Sequence, residues 1–296
     1  MEHSRYDYSP ITDREPLRFP NGARIAVWVI PNIEHFHFDK PSTSIAPFTM
    51  SMVPDVLNYA WRDYGVRVGV WRIIDVLERH GIRATVALNS DVCVHYPPII
   101  DATRALGWEH MGHGRNNSEL IHHQSESDER ALIEDVLQTI EQATGERPKG
   151  WLSPMLTESL NTPDLLAEAG VEYLADWAND EQPYYFNVRQ NTLLSVPYSI
   201  EINDISVFLD NRGTAEDFQT RIVDQFDALY EDGKVSGRVM AIGLHPFLIG
   251  HGFRCKYLDR ALAHIRSRKD VWFATGGEIS DWYRESNPDP KNGKLA

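Results

Sequence analysis

The chain has 296 residues, 42% of them apolar and 24% charged, which is enough to bury a full core and excludes intrinsic disorder. Its net charge of −14 argues against nucleic acid and anionic membrane surfaces as partners. The longest clean apolar run, Ile25 to Ile30, is far short of the ~18 residues a membrane span needs.

Met1 to Tyr6 lacks the basic-then-apolar pattern of a secretory signal, so a cytoplasmic protein is expected. Cys93 and Cys255 cannot build a disulfide framework and have no metal-type spacing, which fits a reducing compartment.

Short apolar runs alternate along the chain with amphipathic ones, the pattern of a parallel α/β fold. Residues 1–23 read as an arm, followed by a first strand from Arg24 to Ile30. Phe36 to Asp63 is a long insertion, and Val70, Trp71, Ile74 and Leu77 then form a helical stripe. Further strands are expected at Ala84 to Leu88, Trp108 to Met111, Gly150 to Leu152, Tyr173 to Ala175, Leu193 to Pro197, Val239 to Leu244 and Val271 to Ala274. Helical stripes run through Leu132, Val136, Ile140 and Ala143, and through Phe218, Ile222, Phe226 and Leu229. Pro97 and Pro98 suit the first turn of a helix, Thr162-Pro163 and Thr214 look like N-caps, and Gly81 and Gly145 sit where helices would stop. Residues 285–296 read as a tail. Seven or so strands in alternation favour a single barrel domain spanning 1–296, and no Gly-rich phosphate loop supports nucleotide binding.

In a parallel barrel the reactive groups gather at the C-terminal strand ends. Those ends supply Asn32, Glu34 and His35; Asn89, Ser90 and Asp91; His113, Asn116 and Asn117; Ser153; Asp176 and Asp180; Asn203 and Asp204; His245; and Thr275. Gly112-His113-Gly114 can turn sharply and present its imidazole as a metal ligand, proton carrier or hydrogen-bond partner. His245, followed by Pro246, is placed to act as a general acid, and Glu34 as base or ligand. His110 precedes His113 by an odd spacing, so the two should face opposite sides of a strand. His122-His123 lies among polar residues, as a solvated pair would. Trp177 and Tyr184, around the acidic run that includes Asp180, could form a substrate wall or simply pack.

Taken together, these stretches resemble the polysaccharide deacetylase (carbohydrate esterase 4) superfamily, and within it the branch of the cofactor-independent allantoinases and cyclic-imide hydrolases. The resemblance runs from about Ala23 to Tyr283. It is carried by Asn32-Ile33-Glu34, Tyr64-Gly65-Val66-Arg67 with Gly69-Val70-Trp71-Arg72, Gly112-His113-Gly114, Gly150-Trp151, and Asp176 to Tyr184. Val196-Pro197-Tyr198 through Asn203-Asp204, then Gly243-Leu244-His245, Leu248-Ile249-Gly250 and Asp270-Val271-Trp272-Phe273, complete it.

The resemblance implies an irregular (β/α) barrel and a hydrolase of non-peptide C–N bonds. It assigns catalytic roles to Glu34, His113 and His245, with His245 protonating the leaving nitrogen. Substrate-binding positions are Asn32, Asn117, Ser153, Trp177, Asp180, Tyr184 and Asn203, with an oxyanion site at backbone N–H groups near Ser153. Metal-dependent members carry an acidic first-strand motif and a His-x-x-x-His pair. Here the corresponding residues are Asn32, Glu34, His113 and Asn117, so Glu34 and His113 are the two strong ligands, with His35 or Asn117 as a third.

The expectation is therefore no catalytic metal, or a weakly held divalent ion such as zinc. The expected substrate is a small cyclic amide, imide or ureide, with Asn32 pairing side by side with a ring N–H and C=O. The alternatives are a metal-dependent N-deacetylase of amino sugars and an inactive barrel that binds a carbohydrate or small ligand. The apolar insertion, with Pro41, Pro47, Phe48, Met50 and Met52, points to a homodimer or homotetramer.

Overall fold

The first strand, β1 (Ile25–Ile33), is buried at all nine positions, as a strand covered on both faces must be. It is the centre of the computed structural model, which describes residues 2–41, 47–121 and 124–289. His122 and His123, part of the insertion and residues 290–296 of the tail lie outside the described residues. The strands that follow are β2 (Thr85–Leu88), β3 (Glu109–Gly112), β4 (Gly150–Trp151), β5 (Tyr173–Leu174), β6 (Tyr184–Tyr185), β7 (Leu194–Ser195), β8 (Arg238–Leu244) and β9 (Val271–Phe273). They run β6-β7-β5-β4-β3-β2-β1-β8 across the sheet, and β9 also pairs with β1. Each pairing is parallel except β6 with β7. The sheet curls into the irregular barrel that the alternation predicts, and the short antiparallel β6 is an addition to it.

The helices are α1 (Val56–Tyr64), α2 (Val70–Arg79), α3 (Ser90–His95), α4 (Pro97–Ala105), α5 (Glu126–Thr144), α6 (Thr162–Glu168), α7 (Ala215–Asp232), α8 (Gly252–Arg266) and α9 (Gly276–Ser286). Two of the stripes bury as expected, whereas on α2 the buried face runs through Ile73 and leaves Trp71 partly exposed. Gly145 ends α5 in the left-handed conformation at φ 84°, and Thr214 closes a capping box on α7. The cap of α6 is Asn161, so Thr162 and Pro163 occupy its first turn instead. Among the described residues no helix is long and apolar enough to cross a membrane.

Strand periodicity decides which side chains reach the barrel interior. Ala26, Trp28 and Ile30 pack inside with Ala87, Met111, Leu152 and Val196, while Ile25, Val27, Val29 and Ile33 pack outward beneath the helices. Continuing that alternation sends Asn32 and Glu34 inward and His35 outward. The pairing of β9 is displaced toward the start of β1, with Ile25 opposite Val271 and Val27 opposite Phe273. Thr275 therefore caps α9 beside the starts of β2 and β3, where Gly276 N–H donates to Thr85 and Gly277 N–H to Glu109. It sits at the opposite end of the barrel from the other polar strand ends and is no part of their constellation.

Candidate active site

At the C-terminal strand ends a cavity of about 440 Å³ opens over the barrel interior. Asn32, Glu34, His113, Asn117, Asn203 and His245 line it, as the sequence expected, joined by Phe36, Arg62, Tyr198 and Phe247.

Glu34 Oε1 lies 3.5 Å from His113 Nε2 and 3.9 Å from His245 Nε2, so the three catalytic candidates converge on one point. His113 donates through Nδ1 to Leu152 O at 2.5 Å, which turns its Nε2 into the cavity. His245 donates through Nδ1 to Asp204 Oδ1 at 2.7 Å. Asp204 is fully buried, and its second oxygen accepts the backbone N–H groups of His245 and Ile249.

The loop that carries His245 is braced from outside. A Cβ on Gly69 would lie 2.0 Å from Pro246 O, so glycine alone lets the helical turn between α1 and α2 approach this closely. That turn, Gly65–Gly69, is a π-helical segment, a distortion often found beside functional sites.

Electrostatics moves the two key groups in opposite directions. Burial opposes ionisation of Glu34, but the His113 and His245 imidazoles and the Arg62 guanidinium outweigh it and hold the carboxyl below its ordinary value. Burial likewise opposes charging His245, and Asp204 and Glu34 overcome it, raising that imidazole above its ordinary value. Near neutrality Glu34 is therefore a carboxylate, and the His245 imidazole holds a proton to higher pH than a free one would. Arg62, pushed down to about 10 chiefly by burial, stays charged, with its guanidinium 3.8 Å over the Phe36 ring.

Asn117 decides what else the site can hold. The backbone N–H of His35 donates to Asn89 Oδ1 at 2.9 Å, which fixes that amide's orientation. Asn89 Nδ2 then donates to His113 O and to Asn117 Oδ1, the latter at 3.0 Å. Asn117 is left to donate from Nδ2 to Glu34 Oε1. A donor N–H therefore faces the carboxylate at the position where a catalytic cation would need a lone pair. His35, the alternative third ligand, points outward to stack on His95 with ring centroids 4.3 Å apart. Among the described residues, Glu34, His113 and His245 do not form a group whose ligand atoms lie close enough together to hold an ion, and the Asn117 N–H already occupies Glu34 Oε1, so the donor set does not fit a catalytic zinc.

Asn32 is placed differently from the sequence expectation. It is buried, and its Nδ2 faces Ile30 O at 3.2 Å, Tyr198 Oη at 3.3 Å and Leu244 O at 3.2 Å. With its donor end spent on the protein, it cannot pair side by side with a ring N–H and C=O. Asn203 donates to the same Tyr198 hydroxyl at 3.1 Å. Ser153 lies behind the wall, where its N–H donates to Asp176 Oδ1 at 2.6 Å and its hydroxyl accepts from Trp151.

The remaining candidates lie elsewhere. Trp177 donates to Glu158 at 2.8 Å, Asp180 pairs with Arg14 at 2.6 Å, and Tyr184 packs on Tyr6 with centroids 4.8 Å apart. The residues that replace this expected substrate wall are Met155, Leu156, Ile200, Ile205 and Leu209. His110 is a core histidine bonded to Thr103 at 2.8 Å, and burial pushes it down to about 4.

Sequence reading missed Arg62, Tyr198 and the backbone of Met155. Met155 and Leu156 both line the cavity in the left-handed region, at φ 56° and 55°. Two adjacent non-glycine residues held there mark a backbone shaped for something other than stability. Between Ser153 and Thr157 the N–H groups of Ser153, Leu156 and Thr157 are spent within the protein, and Pro154 has none.

The sequence pattern of the polysaccharide deacetylase family matches residues 60–174. The structure overlays on that of Puue allantoinase with a TM-score of 0.84 at 27% identity, covering 96% of this chain and 100% of the other. In sequence pattern and in fold the chain thus resembles the polysaccharide deacetylase superfamily. Other superfamily relatives agree over similar lengths. A Pseudomonas aeruginosa PAO1 protein named as a polysaccharide deacetylase overlays with a TM-score of 0.85 at 26% identity, covering 94% of this chain and 98% of the other. A Schizosaccharomyces pombe protein of the same name is 26% identical over 91% of this chain and 93% of its own. By these likenesses the chain is an amidohydrolase-type hydrolase acting on C–N bonds.

Proposed function

We propose that this enzyme hydrolyses a ring C–N bond of a small cyclic amide, imide or ureide without a catalytic metal. The observation that carries the reading is the placing of Glu34, held below its ordinary value, 3.9 Å from His245, raised above its own by Asp204, in a cavity of about 440 Å³. That is the acid–base pair C–N hydrolysis needs, one group to activate water and another to protonate the departing nitrogen.

Glu34 takes a proton from water, and the resulting hydroxide adds to the ring carbonyl to give a tetrahedral intermediate. His113 Nε2, beside Glu34, holds the water or the carbonyl in line. The Met155 N–H, held in the cavity wall by its left-handed backbone, donates to the developing oxyanion. As the C–N bond breaks, His245 delivers its Nε2 proton to the ring nitrogen, and Asp204 keeps the imidazole oriented throughout. Arg62, flat on Phe36, and the single remaining acceptor of Asn32 orient the ring. The fit to a single small ring, rather than a polymer, follows from the cavity's size and its apolar rim of Met155, Leu156 and Leu209.

We further propose a cytoplasmic homo-oligomer, because Phe48, Met50, Met52, Val53 and Leu57 are each about half exposed or more on one stretch of chain. The functional test is to compare turnover of cyclic imides, hydantoins and allantoin with acetate release from N-acetylglucosamine oligomers. Ring opening is expected, and turnover of the oligomers alone would overturn the reading.

A further inference from the structure

We propose that His35, His37 and Asp91 form a second site, outside the catalytic cavity, that binds a zinc ion. One ligand atom from each of the three lies within 4.8 Å of the others. His37 Nε2 and Asp91 Oδ2 are already 3.6 Å apart. Tetrahedral zinc with bonds of about 2.0–2.1 Å separates its ligands by roughly 3.3 Å, so the His37–Asp91 pair is nearly at bonding separation and His35 has to close in from within 4.8 Å. The strand alternation that sends Glu34 into the barrel sends His35 to its outer side, so this cluster and the catalytic one share no residue.

A second observation points to a ligand. His35 is 9% exposed, and its Nδ1 is sealed from solvent with no hydrogen-bond partner. A buried imidazole nitrogen left unsatisfied is destabilising, and native proteins rarely keep one without a use. The segment around it is held firmly. His35 N–H donates to Asn89, His35 O accepts from Asn117 N–H at 3.0 Å, and His37 N–H donates to Ser118 at 2.9 Å. Asp91 Oδ2 accepts from Asn116 Nδ2 at 3.0 Å, an outer contact of the kind that orients metal-binding carboxylates.

The chemistry selects the ion. Two imidazoles and one carboxylate suit zinc, with a fourth position left for water, whereas calcium or magnesium would want mostly oxygen. His37 and Asp91 are partly open to solvent, which gives the ion a route in. Bound there, zinc would tie the end of β1 to α3, next to the backbone that carries Glu34.

The test is calorimetric titration of the chelator-stripped full-length protein with Zn²⁺, alongside thermal melts with and without the ion. One equivalent is expected to bind and raise Tm. His37→Ala and Asp91→Asn should each weaken binding about tenfold or more, as loss of a ligand or its support does. Glu34→Gln, in the catalytic cavity, should leave the affinity unchanged. Should His37→Ala fail to fold, the nearly isosteric Asp91→Asn still gives the answer. Absence of binding, binding that survives both His37→Ala and Asp91→Asn, or binding lost with Glu34→Gln would overturn the proposal.

Discussion

His245 and Asp204 meet at 2.7 Å, imidazole Nδ1–H to carboxylate, with both side chains sealed from solvent. This bond does two things at once. It fixes which ring nitrogen faces the cavity, and it supplies the negative charge that raises the imidazole above its ordinary value against the penalty of burial.

Replacing Asp204 with asparagine removes that charge while keeping the side chain's shape. The His245 pKa should fall, because burial would no longer be opposed by its strongest partner. The kcat should drop by about 10²-fold or more, within the usual worth of a general acid. A pH–rate profile checks the cause, since the alkaline limb should move to lower pH. An unshifted limb would mean that Asp204 serves only to hold the loop.

The wild-type profile itself has a required shape. Glu34 must be ionised, so activity falls on the acid side only below its ordinary value of 4.5. His245 must be protonated, so activity falls on the alkaline side only above its ordinary value of 6.5. The plateau between them should be wider on both sides than those two ordinary values would give. His245→Ala should lower kcat by roughly 10²- to 10⁴-fold and remove the alkaline limb. An unchanged rate would take His245 out of the chemistry.

The assembly expectation rests on the apolar stretch after β1. Light scattering at micromolar concentration should give a dimer or tetramer mass. Glutamate in place of both Met50 and Met52, which are half exposed, should shift the mass toward the monomer. A monomeric wild type would sink the idea.

How far the sequence alone could go is visible at particular residues. The buried strands were readable because runs such as Ile25 to Ile30 are apolar at every step, and parallel strands must be. Glu34, His113 and His245 were readable because each stands at or just past the C-terminal end of an expected strand. The role of Asp204 was not, since its partner lies 41 residues away and the bridge between Asn203 and Gly243 of β8 brings them together. Arg62 escaped notice because it reaches the cavity from the insertion rather than from a strand end. Asn32 was placed correctly but given the wrong task, because nothing in the chain reveals that its donor would be spent on Ile30, Tyr198 and Leu244. Thr275 was misplaced because strand order carries no information about the register shift of β9. Trp177, Asp180 and Tyr184 cluster in sequence yet pack against the N-terminal arm, where Arg14 and Tyr6 claim them.

The claim on which the account depends is that Glu34 and His245 perform the hydrolysis themselves, with Asn117 closing the position a catalytic cation would occupy. The most direct measurement is ring opening of a cyclic imide or hydantoin by protein stripped with a strong chelator and confirmed metal-free by elemental analysis. The account predicts that kcat is retained after stripping, even where removal of an outer zinc lowers Tm, and that Glu34→Gln abolishes turnover in the same stripped preparation. Loss of ring opening on stripping with recovery on added zinc, together with metal-dependent acetate release from amino-sugar oligomers, would contradict it.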